Sequence, residues 1–436
     1  MYFLHKRKYL LKVLLFSSIV VPALAMVDTT SIFSYFYSLV VLTLISILVS
    51  NDEWNKTLYY YHYYLFFGVL VYLLNKYQLP LYIGTTGPEG IGTDDYTFYG
   101  QIVDGNVPYV LEVPAEYKYP FSLFLQAVYP FHINTPLNIV LFNIVFVTFM
   151  PFYTGKLADY FFHNKKITEV SKIIVLLCPM TTLYGVIIIR DLLVTTLVLA
   201  SIYYFLTKKL VPIILCIALV FFVRFGSLSF IAASFLIIYI VKSFNSSLGR
   251  IKVFAVVIFA IIAFIAVLPT LVEYSDGKLN ANLIRSIDGE YYEGSTIASI
   301  ISLPFPINII LSSLFYAVAP LLVFPALQDG IFVIISFFNA TLTPLYFIAI
   351  SPFLYTSLLE KHKSKDLKLL IYLLIVFLVV LGTVSLQIRH KNIIFPIMSI
   401  LAAYGFVRYK RNVVSITILT FVTIFIEVSY SIYSLY

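Results

Sequence analysis

Apolar residues in this chain come in long, nearly unbroken runs, with short polar stretches between them. As a helix, a run of about 18 or more such residues spans the ~30 Å hydrocarbon layer of a bilayer. Segments of this kind lie at about 10–27, 32–50, 58–76, 136–153, 173–189, 191–207, 210–223, 226–241, 253–272, 331–357, 369–387, 393–407 and 413–433. Several are short or merge. The pattern therefore predicts an all-α fold, a polytopic transmembrane helical bundle of about 11 to 14 membrane helices, in one domain covering 1–436. Apolar pieces at 121–131 and 299–325 fit poorly as simple crossings and read as interfacial helices, a re-entrant element or extra crossings. No heptad array, internal repeat or low-complexity linker divides the chain.

Composition agrees with the pattern. Of 436 residues, 61% are hydrophobic and only 11% charged, with a mean hydropathy of +0.95. A soluble domain holds roughly 45–50% apolar and about 25% charged residues, so water-soluble enzymes, transcription factors and secreted scaffolds are excluded. The first basic stretch and the run ending Pro22-Ala23-Leu24-Ala25-Met26 have the outline of a signal peptide. A second apolar run follows almost at once, so the segment reads as an uncleaved first helix. Cys178 and Cys216 lie inside apolar runs without metal-ligand spacing and are assigned to packing.

The net charge of +8 does not imply nucleic acid, because the basic residues sit in clusters between apolar runs. With the N-terminus in the cytoplasm, the cytoplasmic connections collect 21 of the 29 basic residues, the bias expected from the positive-inside rule. On this count the stretch 304–358 holds one or three crossings. The other eight, Lys76, Lys118, Arg190, Arg224, Lys278, Arg285, Arg389 and Lys391, fall on the outer face with most of the acidic residues. That face also carries two larger extracytoplasmic loops, approximately 77–120 and 273–305. The chemistry is therefore expected outside.

In the first loop Asp94-Asp95 is followed at helical spacing by Tyr96, Tyr99 and Ile102, and then by Asp104. This predicts a short amphipathic helix on the membrane surface, with carboxylates at its N-terminal end where the helix dipole favours their charge. Two capping aspartates on a solvated loop are the alternative. Glycines at 84, 87, 90 and 92 lack the strand and the Gly-Lys-Ser/Thr of a nucleotide loop. Ionisable groups within or beside apolar runs are functional candidates because their burial is costly. Arg190-Asp191 interrupts two runs, Arg224 ends another, and Arg389-His390-Lys391 stands at a third. Three arginines on one face suit a phosphate or diphosphate, whose oxygens match the guanidinium fork. Snorkelling arginines, or Arg190 paired with Asp191, are the bland alternative. His390, flanked by cations that favour its neutral form, suits a general base; the other five histidines read as surface or packing residues. Most of the 36 tyrosines fit interfacial belts. Tyr96, Tyr99, Arg285 and Tyr291 in the outer loops are candidate sugar contacts.

Together these features resemble bacterial polytopic glycosyltransferases that use lipid-linked sugars, the broad GT-C type, and most nearly O-antigen polymerases (Wzy-like). The resemblance is carried by the Asp-Asp-Tyr, Gly-Asn-x-Pro-Tyr and Tyr-Pro-Phe elements of the first outer loop. Further parallels are the run from Pro179 to Asp191 ending in Arg-Asp, the helix ending at Arg224, and Arg389-His390 followed by Pro396, Ala402, Ala403 and Gly405. It implies polymerisation of polyprenyl-diphosphate-linked oligosaccharide repeat units at the outer face of the bacterial inner membrane. Arg190, Arg224 and Arg389 would bind the diphosphate, and Asp94, Asp95 or His390 would serve as the base. No cofactor, metal or nucleic acid is expected; a flippase and a chain-length regulator of the same pathway are the expected partners. Two alternatives stand beside it: a transferase adding one sugar from a polyprenyl-phosphate donor, and a flippase or transporter of the lipid-linked unit.

Overall fold

The computed structural model describes residues 2–49, 54–78, 98–100, 102, 119–129, 135–243, 307–318, 337–361, 363–384, 388–408 and 413–433. Among the described residues all regular structure is helical. In chain order the helices are α1 (Tyr2–Val27), α2 (Ser31–Val49), α3 (Trp54–Gln78), α4 (Tyr119–Val128), α5 (Pro136–Val147), α6 (Phe149–Phe162), α7 (Lys165–Leu176) and α8 (Pro179–Gly185). They continue as α9 (Asp191–Leu206), α10 (Leu210–Arg224), α11 (Leu228–Ser243), α12 (Ile307–Val318), α13 (Thr343–Leu358), α14 (Lys365–Val384), α15 (Phe395–Arg408) and α16 (Val413–Tyr433). Short 3-10 turns at Phe225–Ser227 and Ile388–Ile393 follow α10 and precede α15, and a π turn at Phe337–Leu342 leads into α13.

The centre of the bundle is the α5–α6 rod. Pro136 opens it at a position whose missing N–H costs nothing, and the rod continues to Phe162, where His163 takes a left-handed conformation with φ 45 that ends it. Asn164 then caps α7, its side chain accepting from the amides of Lys166 and Ile167. The 27-residue rod is almost wholly enclosed by other helices. It is one of two described helices long and apolar enough to cross a membrane, the other being Ser31–Val49. Shorter apolar helices, including α9, α10, α11 and α15, surround it. On the outside, α10 turns Ile214, Leu215 and Phe221 away from the protein, and α16 does the same with Ile418, Phe421 and Phe425. Apolar faces of this extent belong against lipid or another apolar surface.

One predicted element changes on folding. The run 173–189 is not one helix: α7 and α8 meet at a 61° bend. Pro179 at the start of α8 pushes Cys178 into extended geometry, with φ −66 and ψ 119, because the proline ring disfavours helical conformation in the preceding residue. The piece 121–131 becomes α4, only 10 residues long, about 15 Å and too short to cross. Of the run 331–357, the described part is the π turn joined to α13. The predicted crossing at 253–272 and the loop 273–305 lie outside the described residues, as does most of 77–120.

Polar side chains are placed where hydrogen bonds satisfy them. His62, read from the sequence as a packing residue, is buried among α1, α2 and α3. Its Nδ1 donates to the Leu58 carbonyl at 2.7 Å, so its Nε2 accepts from Tyr35 at 3.0 Å. At one end of the bundle Asp28 accepts from Thr30, Ser31 and Thr135, tying the α1–α2 turn to the start of α5. Partial burial alone would raise the pKa of Asp28; the side-chain donors and the Thr30 amide outweigh it and hold the carboxyl below its ordinary value. At the other end Lys56 and Lys172 meet on Glu169, at 2.6 and 3.4 Å.

The closest helix contact sets a test. A Cβ on Gly405 of α15 would stand 1.7 Å from the Phe353 carbonyl oxygen of α13, a backbone atom that cannot turn aside. Gly405→Leu is expected to lower stability by about 3 kcal/mol or more, read as a drop in the thermal unfolding temperature of detergent-solubilised protein. An unchanged temperature would contradict this packing of α13 on α15.

Candidate functional site

The site begins where the helical backbone is interrupted. After Gly185 the Val186 amide makes a last bond to the Leu183 carbonyl at 3.2 Å, and the chain leaves the helix through Ile187, Ile188 and Ile189; all four residues are buried. Non-helical backbone inside an apolar bundle needs polar partners from neighbouring protein. Asn143, two turns into α5, supplies them: its side-chain amide donates to the carbonyls of Ile187 at 3.1 Å and Ile189 at 3.5 Å. The interruption delivers Arg190 to the N-cap position of α9 and Asp191 to its first turn, where the exposed amides favour a carboxylate. Because Asn143 lies seven residues into α5, this point is recessed by about 10 Å from the Pro136 end.

Two other elements bring charge to the same place. Arg224 is the last residue of α10, and His390 sits in the 3-10 turn between α14 and α15. Nη1 of Arg224 is paired with Oδ1 of Asp191, and its Nη2 lies 2.6 Å from Nε2 of His390. The His390 Nε2 is in turn 3.7 Å from the Asp191 carboxylate. A guanidinium only donates, so in this contact Nε2 of His390 is the acceptor. Side-chain exposure is 7% for Asp191, 10% for His390 and 22% for Arg224. Around the three lies a small cleft with Thr195, Ser227 and Asn392 as further polar lining and Phe230 and Leu381 as apolar walls.

The turn carrying His390 is anchored from behind. Asn392 is fully buried and its Oδ1 accepts from Thr181 of α8 at 3.4 Å. Lys391 is also fully buried, with its Nζ 4.0 Å from the centroid of the Phe347 ring. Glu427 of α16, itself 1% exposed, supplies the opposing charge. Sequence placed Lys391 beside His390 as an outer-face cation; the fold turns its ammonium into the protein instead, where a cation over an aromatic face with a carboxylate partner is tolerated.

Of the predicted site residues, Arg224 and His390 come together. Arg190 is adjacent but differently engaged: its guanidinium donates to the Val223 carbonyl at 3.2 Å and lies 5.8 Å from the Phe98 ring. Asp191, for which pairing with Arg190 was the bland alternative, pairs with Arg224. Arg389 belongs to the same 3-10 turn as His390; its side chain lies outside the described residues, as do Asp94, Asp95, Tyr96, Arg285 and Tyr291. Tyr99 is half-buried against the core in a helical segment. That segment buries Phe98 and Ile102, with Phe98 edge-on to Phe121 at 4.9 Å and the Ile102 carbonyl accepting from Gln126 at 2.9 Å.

Asp191, Thr195, Ser227 and Asn392 were not predicted as site residues. One signal was available: Thr195 follows Asp191 by four, so both share a face of α9. Nothing in the sequence pairs that face with Ser227 or Asn392. Among the described residues no three His, Cys, Asp or Glu side chains gather as metal ligands. No family model matches the chain, and searches of curated proteins and of solved structures also find no match.

The buried pair behind His390 can be checked by its asymmetry. Glu427→Gln leaves Lys391 without its opposing charge and is expected to cost about 3–5 kcal/mol. Adding Lys391→Met to that variant should recover most of the loss, because no buried charge then remains. Thermal unfolding of the single and double variants reads both; a double variant no more stable than Glu427→Gln would mean that the pair is not what holds the turn.

Proposed function

We propose that the chain is a multi-pass protein of the bacterial inner membrane, with its N-terminus in the cytoplasm. There it polymerises polyprenyl-diphosphate-linked oligosaccharide repeat units at the extracytoplasmic face, as an O-antigen or capsular polysaccharide polymerase. One observation carries the reading: Arg224, Asp191 and His390, from three separate helix ends, meet in a cleft with apolar walls. Charge at such a place is costly without a task, and an arginine fork beside hydroxyl and amide groups suits phosphate oxygens. The basic residues clustered at connections on one side of the predicted topology support the orientation.

On this reading the lipid tail lies among the apolar helices and the diphosphate against Arg224, with Arg190 and Arg389 extending the positive wall. The acceptor is a hydroxyl of a second lipid-linked unit. Its oxygen forms a bond to the anomeric carbon as the bond from that carbon to the diphosphate oxygen breaks. The hydroxyl proton passes to a base, Asp94, Asp95 or His390, and the diphosphate leaves on its lipid carrier. Arginine donors aimed at the leaving diphosphate stabilise the charge that grows there.

The test is a gel of surface polysaccharide from cells with and without the gene. Loss of the gene should collapse the ladder to core plus one repeat unit. Arg224→Ala should give the same collapse with normal protein in the membrane fraction, and Arg224→Lys should restore it poorly, having a point charge in place of the fork. An unchanged ladder with altered sugar content would instead indicate a single-sugar transferase, and loss of every surface repeat unit would indicate a flippase.

A further inference from the structure

Arg190 and Arg224 look alike in sequence, each a cation beside an apolar run, but the fold gives them different partners. Arg224 meets two side chains, Asp191 and His390, and lines the cleft with both. Arg190 donates to a backbone carbonyl, that of Val223, at 3.2 Å. Among the described residues that line the cleft are Asp191 and Arg224 but not Arg190. We infer that Arg190 is a positioning residue, which pins the end of α10 so that the guanidinium of Arg224 is aimed into the cleft, where an anion of the phosphate class would meet it. This rests on the reading of Arg224 as a diphosphate site and narrows the part of Arg190 in it, from a stretch of the positive wall to the support of Arg224.

The need for such a pin follows from the shape of the pair of helices. α9 and α10 pack together as a hairpin, closed at its turn by bonds from the Lys208 amide to Phe205 and from the Lys209 amide to Tyr204, at 3.2 and 2.9 Å. With 16 residues in α9 and 15 in α10, Arg190 and Arg224 stand about 20–25 Å from that turn. At this distance a tilt of about 3° between the helices moves Arg224 by about 1 Å, an error large enough to blunt a group that must meet its ligand in one geometry. Two successive residues fasten the open end in a single register: Arg190 to Val223 and Asp191 to Arg224, each pair 33 residues apart. Val223 is next to last in α10, and the last carbonyls of a helix have no partner within it. A guanidinium placed there supplies a donor and faces the negative end of the helix dipole.

Arg190 also has an aromatic cover. Phe98 is buried, and its ring centroid lies 5.8 Å from the guanidinium carbon, within the range of a cation–π contact. The same ring is edge-on to Phe121 of α4, and α4 in turn packs on α10. Arg190 thus joins three elements: the start of α9, the end of α10 and the helical segment that carries Phe98. Loss of Arg190 leaves the charge of Arg224 and its partners Asp191 and His390 in the protein and alters where that guanidinium is held.

Titration calorimetry of the full-length protein in detergent with inorganic pyrophosphate tests this role. Arg190→Gln, too short to reach the Val223 carbonyl, is expected to weaken binding by about tenfold. Arg190→Lys still offers that carbonyl one donor and should recover most of the loss, whereas Arg224→Lys, without the fork, should stay about tenfold or more below wild type. Combining Arg190→Gln with Arg224→Lys should add no more than about twofold to the loss from Arg224→Lys alone, because the group that Arg190 aims is already changed. Fully additive losses, or binding by Arg190→Lys as weak as by Arg224→Lys, would make Arg190 a direct ligand of the anion and overturn the proposal, as would wild-type affinity in Arg190→Gln. Should Arg190→Gln fail to fold, the comparison of the two lysine variants decides alone. Absence of pyrophosphate binding to wild type would remove the diphosphate reading and this proposal with it; binding with the additive pattern would remove only the positioning role. In cells the polysaccharide gel should follow the same order, Arg190→Lys keeping a longer ladder than Arg224→Lys.

Discussion

The interruption of helical backbone between Gly185 and Asp191 is the constraint on which the site depends. An apolar bundle cannot leave peptide groups unsatisfied, so a stretch with no helical hydrogen bonds must be enclosed by groups that replace them. Asn143 does this for two carbonyls, and Val186 to Ile189 are all buried. What the break provides is depth. The 61° bend and the short α8 lead the chain to a point level with Asn143, about two turns into α5.

At that level charges must be matched. Arg224 pairs with Asp191 through one outer nitrogen of its guanidinium and meets His390 with the other. The turn bearing His390 is itself fixed by a second matched set on its other side, Lys391 with Glu427 and the Phe347 ring. Successive residues of one 3-10 turn thus point into two separate electrostatic settings, one open to a cleft and one closed. The first set lines a cleft, whereas Lys391 is fully buried.

How much could be read in advance differed between elements. Runs such as 32–50 and 413–433 appeared as helices with nearly the predicted ends, because length and apolarity alone make helix the satisfied state of the backbone. The run 173–189 misled for a physical reason: hydropathy has no term for the effect of Pro179 on Cys178. Arg224 and His390 were visible as site residues because a charge inside an apolar run is conspicuous wherever it falls. Asp191 was equally visible, but adjacency suggested Arg190 as its partner. The actual partner is 33 residues away, and only the packing of α9 on α10 brings it there.

Sequence alone therefore determined the class of the fold, the excess of basic residues at certain connections, and which ionisable residues are out of place in an apolar setting. These follow from properties that each residue or short run carries with it: hydropathy, charge and length. Tertiary structure decided which charges meet. It put Asp191 on Arg224, moved Arg190 to the Val223 carbonyl, set His390 against the guanidinium and turned Lys391 toward Phe347. Pairing energies fall off within a few ångströms, and distances on that scale between residues 33 or 166 apart in sequence are fixed by helix packing and not by any local pattern.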